Sequence, residues 1–97
     1  MPLDRSYYVY ILASESSVLY TGMTNNLLLR AWQHKKGEVP GFTKRYNVKK
    51  LVWYEVHGNA ASAIEREKQI KAWTRAKRVA LIEAKNPQWQ DLTGTLG

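Results

Sequence analysis

The residues of this sequence that can do chemistry are two tyrosines in strand-like segments, an arginine and a histidine one helical turn apart, and a glutamate in a basic segment. In chain order they are Tyr10, Tyr20, Arg30, His34 and Glu67. A phenol, a guanidinium, an imidazole and a metal-binding carboxylate are together the groups that phosphodiester hydrolysis uses. Each has an ordinary structural explanation alone, so it is the ordered set that predicts a site.

Glu67 is the hardest of these residues to explain structurally. On a helix, Ile64 and Ile70 flank it at about 60° on either side, so the carboxylate points between apolar residues. Lys71, one turn later, would neutralise it as an ordinary helix ion pair. The alternative is a metal ligand, because one carboxylate with waters and phosphate oxygens is a normal way to hold Mg²⁺. Both interpretations stay open at this point.

Arg30 and His34 share one face of a predicted helix, where they would hold a phosphate and stabilise its charge. Exposed residues of these types at this spacing are also common on protein surfaces. Tyr10 and Tyr20 approach each other if their strands pair, and phenol chemistry there requires a cation, such as Arg30 or a metal, to lower the phenol pKa. Gly22 ends the second strand, where we expect a side chain to block the approach to the cleft.

Length and composition indicate one domain over residues 1–97, with its core at about 7–92. The 97 residues are 44% hydrophobic and include no cysteine, which excludes a disulfide framework and thiolate zinc sites. Met1–Arg5 lack the apolar stretch of a signal peptide, and no later segment is long enough to span a membrane. We therefore expect a cytoplasmic protein.

The charge balance favours a nucleic-acid partner. Fifteen Lys and Arg residues against eight Asp and Glu give a net charge of +7, and four Trp and six Tyr lie among them. A solvated basic face with core aromatics is the alternative. The residues that we expect to contact nucleic acid are Lys44, Arg45, Lys49, Lys50, Lys68, Lys71 and Arg75.

Hydrophobic patterns and helix-capping residues predict the strands and helices that position these residues. The apolar run 7–12, a turn at 14–17 and the segment 18–22 predict a hairpin. Helical spacing over 27–36 predicts a helix with a cap at residues 24–26 and a stop at Gly37, and residues 50–56 predict a third strand. A second helix begins near Asn59 or Ser62 and ends near Trp73, and a third covers 75–84.

The remaining segments are expected to lack regular structure. Residues 38–47 contain Gly and Pro and predict a loop, and the tail from Trp89 to Gly97 is expected to fray. The prediction is an α+β fold in the order ββαβαα, with helices packed on a small antiparallel or mixed sheet.

The ordered motifs resemble the GIY-YIG nuclease superfamily. The residues that carry the resemblance are Tyr8-Val9-Tyr10, Tyr20-Thr21-Gly22, Arg30, His34 and Glu67. The helix from Arg66 to Trp73 is similar to that of its small, free-standing bacterial members, the UPF0213-like proteins. The resemblance extends from about Tyr7 to Leu92, nearly the whole chain.

This resemblance implies a three-stranded antiparallel sheet flanked by helices and one Mg²⁺ or Mn²⁺ on Glu67. It also implies that Arg30 contacts the scissile phosphate and that Tyr10 acts as general base or orients the attacking water, with Tyr20 and His34 in support. Either Tyr8 or Tyr10 can be the motif tyrosine, and we take Tyr10 because Val9-Tyr10 matches the Ile-Tyr half of the motif.

The function expected from these features is a metal-dependent endonuclease acting on DNA, with RNA as a further possibility. We expect selection of structure over sequence and a role in DNA repair or recombination, with a protein partner contributing specificity and with no membrane or small-molecule cofactor. The alternatives are a nucleic-acid-binding module with little or no catalysis and a protein-docking domain. Val79 favours weak activity, since it lies where several family members carry an asparagine.

Overall fold

A computed structural model describes residues 6–96 of the protein. Its strands and helices are β1 (Tyr7–Ala13), β2 (Leu19–Thr24), α1 (Leu27–Lys35), α2 (Phe42–Arg45), β3 (Lys50–His57), α3 (Ala60–Ala72), α4 (Arg75–Lys85) and a 3₁₀ helix (Leu92–Thr95). The predicted α+β class and the order ββαβαα are confirmed, with α2 as an addition. Residues 1–5, in which we expected no signal peptide, lie outside the described residues. Within residues 6–96, no helix is long and apolar enough to cross a membrane.

β1 is the central strand of a fully antiparallel sheet with the strand order β2-β1-β3. Its side chains alternate between two packed faces. Val9 and Ile11 belong to the core formed with α3 and α4, whereas Tyr10 and Leu12 pack with Leu27 of α1 on the opposite face. Burial of both faces explains why residues 7–12 are a continuous apolar run instead of an apolar–polar alternation.

The helix ends follow the local signals of the sequence. Asn26 caps α1 by accepting the Leu29 N–H at 3.2 Å, and Gly37 with a φ of 71° follows the end of that helix. Asn59, the first of the two predicted alternatives, caps α3 by accepting an N–H at 2.8 Å. Thr74 caps α4 in the same way at 3.3 Å. These caps fix where each helix begins relative to the sheet.

The segment predicted as a loop contains a short helix, α2. It begins after Gly41, whose φ of 95° is unfavourable for any residue with a Cβ. Thr43 in the helix and Val48 after it are buried, and the Val48 N–H donates to the Thr43 carbonyl at 2.8 Å. The loop prediction is therefore wrong over Phe42–Arg45, because a helix of four residues is too short to show periodicity.

The C-terminal residues pack against β3, contrary to the expected fraying. Asn86 is buried at the end of α4, and its side-chain amide donates to the Val52 carbonyl at 3.0 Å. The Asp91 carboxylate accepts the Leu51 N–H at 3.3 Å and pairs with Lys35. The C-terminal residues are thus fixed by side-chain hydrogen bonds to the sheet. Such bonds leave no periodic pattern in the sequence from which this packing could be predicted.

Candidate active site

Tyr10 lies on the central strand of the sheet, and the residue opposite it has no side chain to occupy the space of its ring. It is 2% exposed and pairs with Gly22 on β2. A Cβ on Gly22 would lie 2.6 Å from both Cζ and Oη of Tyr10 and 3.0 Å from Cε2 of Tyr20. Gly22 therefore makes room for the ring of Tyr10, which is a different role from the open approach to the cleft that we expected.

Three of the predicted site residues form one ring cluster. The ring centroids of Tyr10 and Tyr20 are 6.4 Å apart, those of Tyr10 and His34 are 5.9 Å apart, and those of Tyr20 and His34 are 5.8 Å apart. The Tyr10 hydroxyl lies 3.3 Å from Nε2 of His34. Strand pairing brings the tyrosines together, as predicted, and α1 adds the imidazole.

His34 is buried, which rules out an ordinary exposed surface residue. It is 3% exposed, and its Nδ1 lies 3.1 Å from the hydroxyl of Thr43. Burial, and then the positive charge of Arg30, lower the pKa of His34 from 6.5 to about 4, so the ring is neutral at neutral pH. A neutral ring with its proton on Nδ1 donates to Thr43 and leaves Nε2 to accept the Tyr10 O–H.

Thr43 is a site residue that the sequence did not reveal. It is 4% exposed, and its hydroxyl meets the imidazole from α2. A threonine inside a segment without periodicity carries no signal for such a contact. Its hydroxyl can donate to or accept from Nδ1, so it satisfies the buried imidazole and fixes the orientation of the ring.

The charges of Arg30 and Glu67 both act on the Tyr10 phenol. Burial first, and then the neighbouring Tyr20, raise the pKa of Tyr10 well above its ordinary value of 10.0. Arg30 acts to lower that pKa and Glu67 acts to raise it, so both groups lie within electrostatic reach. The expected downward effect of Arg30 is present, but burial outweighs it and the phenol keeps its proton.

Glu67 lies at the border between the core and solvent. Of its two flanking isoleucines, Ile70 is fully buried and Ile64 is 41% exposed. The carboxylate side chain is 20% exposed and pairs with Lys71 at 2.9 Å. The helix ion pair is therefore formed, and the Glu67 side chain stays partly exposed.

Comparison with known proteins identifies the family of the chain. A family model described as the GIY-YIG catalytic domain matches residues 6–80, which is more than half of the chain. The chain belongs to the GIY-YIG family. GIY-YIG domains are generally nuclease domains, and the strand, helix and glutamate motifs quoted above all fall within the matched range.

Several small bacterial proteins resemble the chain over most of their length. A UPF0213 protein of Clostridium perfringens is 40% identical over 79 residues, covering 81% of this chain and 85% of the relative. A UPF0213 protein of Pediococcus pentosaceus is 31% identical over 83 residues, covering 86% and 87%. The solution NMR structure of a UPF0213 protein from Bacillus halodurans matches with a TM-score of 0.58 and 25% identity, covering 94% of this chain and 97% of that one. The protein is thus a small UPF0213-like member of the GIY-YIG family, as the resemblance predicted.

Within this GIY-YIG domain, Tyr10 is better placed than Tyr8 for the role of motif tyrosine. Tyr10 contacts both Tyr20 and His34, and its hydroxyl meets the imidazole. Tyr8 packs at the margin of the cluster around Leu12. The assignment of Tyr10 as the motif tyrosine stays a prediction, and Tyr10 is the one of the two that contacts the ring cluster.

A divalent cation fits the GIY-YIG site only with a small set of protein ligands. GIY-YIG nucleases typically depend on a divalent metal. Among residues 6–96 no group of three or more His, Cys, Asp or Glu side chains is positioned to hold an ion. Glu67 is a partly exposed carboxylate whose ion-pair partner, Lys71, is itself 51% exposed and free to move aside. One carboxylate with waters and phosphate oxygens satisfies Mg²⁺, so the residues fit this cation.

The basic residues predicted to contact nucleic acid divide into three groups. Lys44 and Arg45 are exposed on α2, next to the ring cluster. Lys68, Lys71 and Arg75 are exposed along α3 and the start of α4. Lys49 and Lys50 are half-buried and line a separate depression. The first group lies on the helix that carries Thr43, and the second includes the partner of Glu67.

Proposed function

We propose that the protein is a metal-dependent endonuclease that hydrolyses phosphodiester bonds in DNA, selects structure over sequence and acts in DNA repair or recombination. The observation that supports this best is the ring cluster of Tyr10, Tyr20 and His34, with the charges of Arg30 and Glu67 acting on the same phenol. The phenol is buried against the imidazole, with a cation and a carboxylate both within electrostatic reach. The family of the chain points to the same chemistry.

Arg30 is the residue that would hold the scissile phosphate. Its guanidinium presents paired donors that match phosphate oxygens, and it is the cation that acts on both Tyr10 and His34. In this position it stabilises the negative charge that develops on the phosphate during attack. His34 itself is neutral and contributes no positive charge.

Tyr10 would orient the attacking water. When the proton of His34 is on Nδ1, the Tyr10 O–H donates to Nε2, 3.3 Å away, and the phenol oxygen keeps the capacity to accept a hydrogen bond from water. His34 has a pKa of about 4 and is a weak final acceptor for a proton, so its main contribution is to fix the phenol. Of the two roles predicted for Tyr10, orientation of water is therefore favoured while its pKa is raised by burial.

Glu67 would hold the Mg²⁺ or Mn²⁺, after exchanging its contact with Lys71 for the cation. A bound divalent cation supplies positive charge at the phosphate and lowers the pKa of a coordinated water. Lys71, once released, remains beside the site as a further cation for the nucleic-acid backbone.

A cleavage assay on labelled substrates tests this proposal. The panel contains single-stranded, duplex, flapped and branched DNA of one sequence, with RNA counterparts, in Mg²⁺ or Mn²⁺ and again with a chelator. Cleavage that stops with the chelator supports the nuclease and identifies its substrate class. Salt-sensitive binding without cleavage would support a nucleic-acid-binding module instead. Absence of both activities would point to a protein-docking domain.

A further inference from the structure

Two half-exposed aromatic rings lie at the two ends of α2, at its first residue and at the residue that caps its C-terminus. Phe42 is 46% exposed and Tyr46 is 45% exposed, and their ring centroids are 4.9 Å apart. Phe42 also stacks on Tyr20, with centroids 6.2 Å apart and an interplanar angle of 28°. We call Phe42 and Tyr46 the aromatic platform. The platform therefore continues the ring cluster of the site outward to solvent.

The platform is held in place from its inner side. Thr43, between the two rings in sequence, is buried with its hydroxyl against Nδ1 of His34. Val48 is fully buried and anchors the chain after α2. The rings of Phe42 and Tyr46 thus stay in contact with water because the inner side of their segment is fixed. Burial of such rings is normally favourable.

Cations accompany the platform on the same helix. Lys44 and Arg45 are exposed, and the Arg45 guanidinium carbon lies 5.5 Å from the centroid of the Tyr46 ring. Exposed rings interleaved with Lys and Arg are the features that bind single-stranded nucleic acid, where bases stack on rings and cations follow the phosphates.

We propose that the aromatic platform stacks an unpaired nucleobase beside the phosphate held at the site. This inference rests on the proposed function and specifies its substrate class: a segment of nucleic acid that is single-stranded next to the cleaved bond. A base inside a duplex has both faces covered by its neighbours and cannot offer one to Phe42 or Tyr46. A single strand or a flap presents open faces there.

Binding measurements on a cleavage-deficient background test the inference separately from catalysis. Glu67→Ala protein is titrated with a fluorescent single-stranded oligonucleotide, the same strand with several central bases removed, and the matching duplex. We expect the intact single strand to bind about tenfold more tightly than the abasic strand, which corresponds to about 1.4 kcal/mol. The duplex should bind no more tightly than the abasic strand.

Substitutions test whether the aromatic platform causes this preference for the intact single strand. In the same background, Tyr46→Ala and Phe42→Leu should each weaken binding of the intact strand about five- to tenfold and leave the abasic strand unchanged. Tyr46→Phe should bind like the parent because the ring remains. Trp32→Ala is the matched control, since Trp32 is 45% exposed but lies on α1 away from the face of His34.

The outcomes separate the two proposals. Binding that collapses with salt but is unaffected by Tyr46→Ala and Phe42→Leu would overturn the platform and leave the nuclease standing. An equal loss from Trp32→Ala would also overturn it. If none of the oligonucleotides binds, the platform and the proposed function both fail.

Discussion

The ring of Tyr10 lies over the backbone of Gly22 on the neighbouring strand. A Cβ at residue 22 would come within 2.6 Å of the phenol, so this phenol position requires a glycine there. The strand that supplies Gly22 also supplies Tyr20, and α1 supplies His34 to the same cluster. The placement of the central phenol is therefore determined by a cross-strand pair.

Gly22→Ala should displace the Tyr10 ring and reduce both stability and cleavage. Overpacking of a buried site costs about 1–3 kcal/mol, and about 1 kcal/mol lowers the melting temperature of a domain of this size by about 4–8 °C. Thermal unfolding and cleavage rate are measured together. Gly58→Ala is the matched control, because a Cβ at Gly58 meets nothing within 4 Å. Equal effects of the two substitutions would show that the Tyr10 ring does not require a glycine at residue 22.

Thr43→Val should reduce cleavage mainly through kcat. The substitution keeps the shape of Thr43 and removes the hydroxyl that lies 3.1 Å from His34 Nδ1, so the buried imidazole loses the hydrogen bond that orients its ring. A buried polar atom left without a partner costs about 1–3 kcal/mol. We expect about a tenfold loss of kcat with little change in KM, and restoration in Thr43→Ser. A change confined to KM would show that Thr43 does not act through His34.

Lys71→Gln should strengthen metal binding. Lys71 neutralises Glu67 at 2.9 Å and competes with a cation for the carboxylate. Exposed ion pairs contribute about 0.2–1 kcal/mol, so the dissociation constant for Mn²⁺ should fall by up to about fivefold. The Mn²⁺ concentration that half-saturates the cleavage rate measures this affinity with the phosphate oxygens present. Lys68→Gln removes an equal charge from the same helix and should have a smaller effect; a weaker affinity in Lys71→Gln would argue against Glu67 as the ligand.

Stability should fall on mild acidification because of His34. Its pKa is lowered from 6.5 to about 4, so between these values the unfolded chain binds a proton that the native protein does not. Unfolding free energy therefore decreases as the pH falls from 6.5 toward 4, by at most about 1.4 kcal/mol per pH unit from this group. Urea unfolding at several pH values should show a shallower dependence in His34→Gln. Identical slopes would show that His34 is not held neutral.

Much of the fold could be predicted from the sequence because its signals are local. The hairpin, the third strand and three helices follow from apolar runs, helical spacing and caps such as Asn26 and Thr74. The missed elements depend on tertiary contacts. α2 is fixed by Thr43 against His34, and the C-terminal residues are fixed because Asn86 donates to β3 and Asp91 accepts from it.

The predicted site residues came from the order of motifs, and their assigned roles stay predictions. Order alone could not show that His34 is buried or that the role of Gly22 is to accommodate Tyr10. It also could not reveal Phe42, whose stacking on Tyr20 depends on how α2 folds back over the sheet. These relationships are set by packing between segments that are distant in the chain.

We propose that Glu67 serves cleavage through a metal while other residues bind the nucleic acid. The most direct test compares Glu67→Ala with the parent in two assays: cleavage rate in Mg²⁺ or Mn²⁺ and affinity for the same oligonucleotide. We expect cleavage to disappear and affinity to change by less than about threefold, because Glu67 is not part of the basic surface. Cleavage by Glu67→Ala at the parental rate would contradict this proposal.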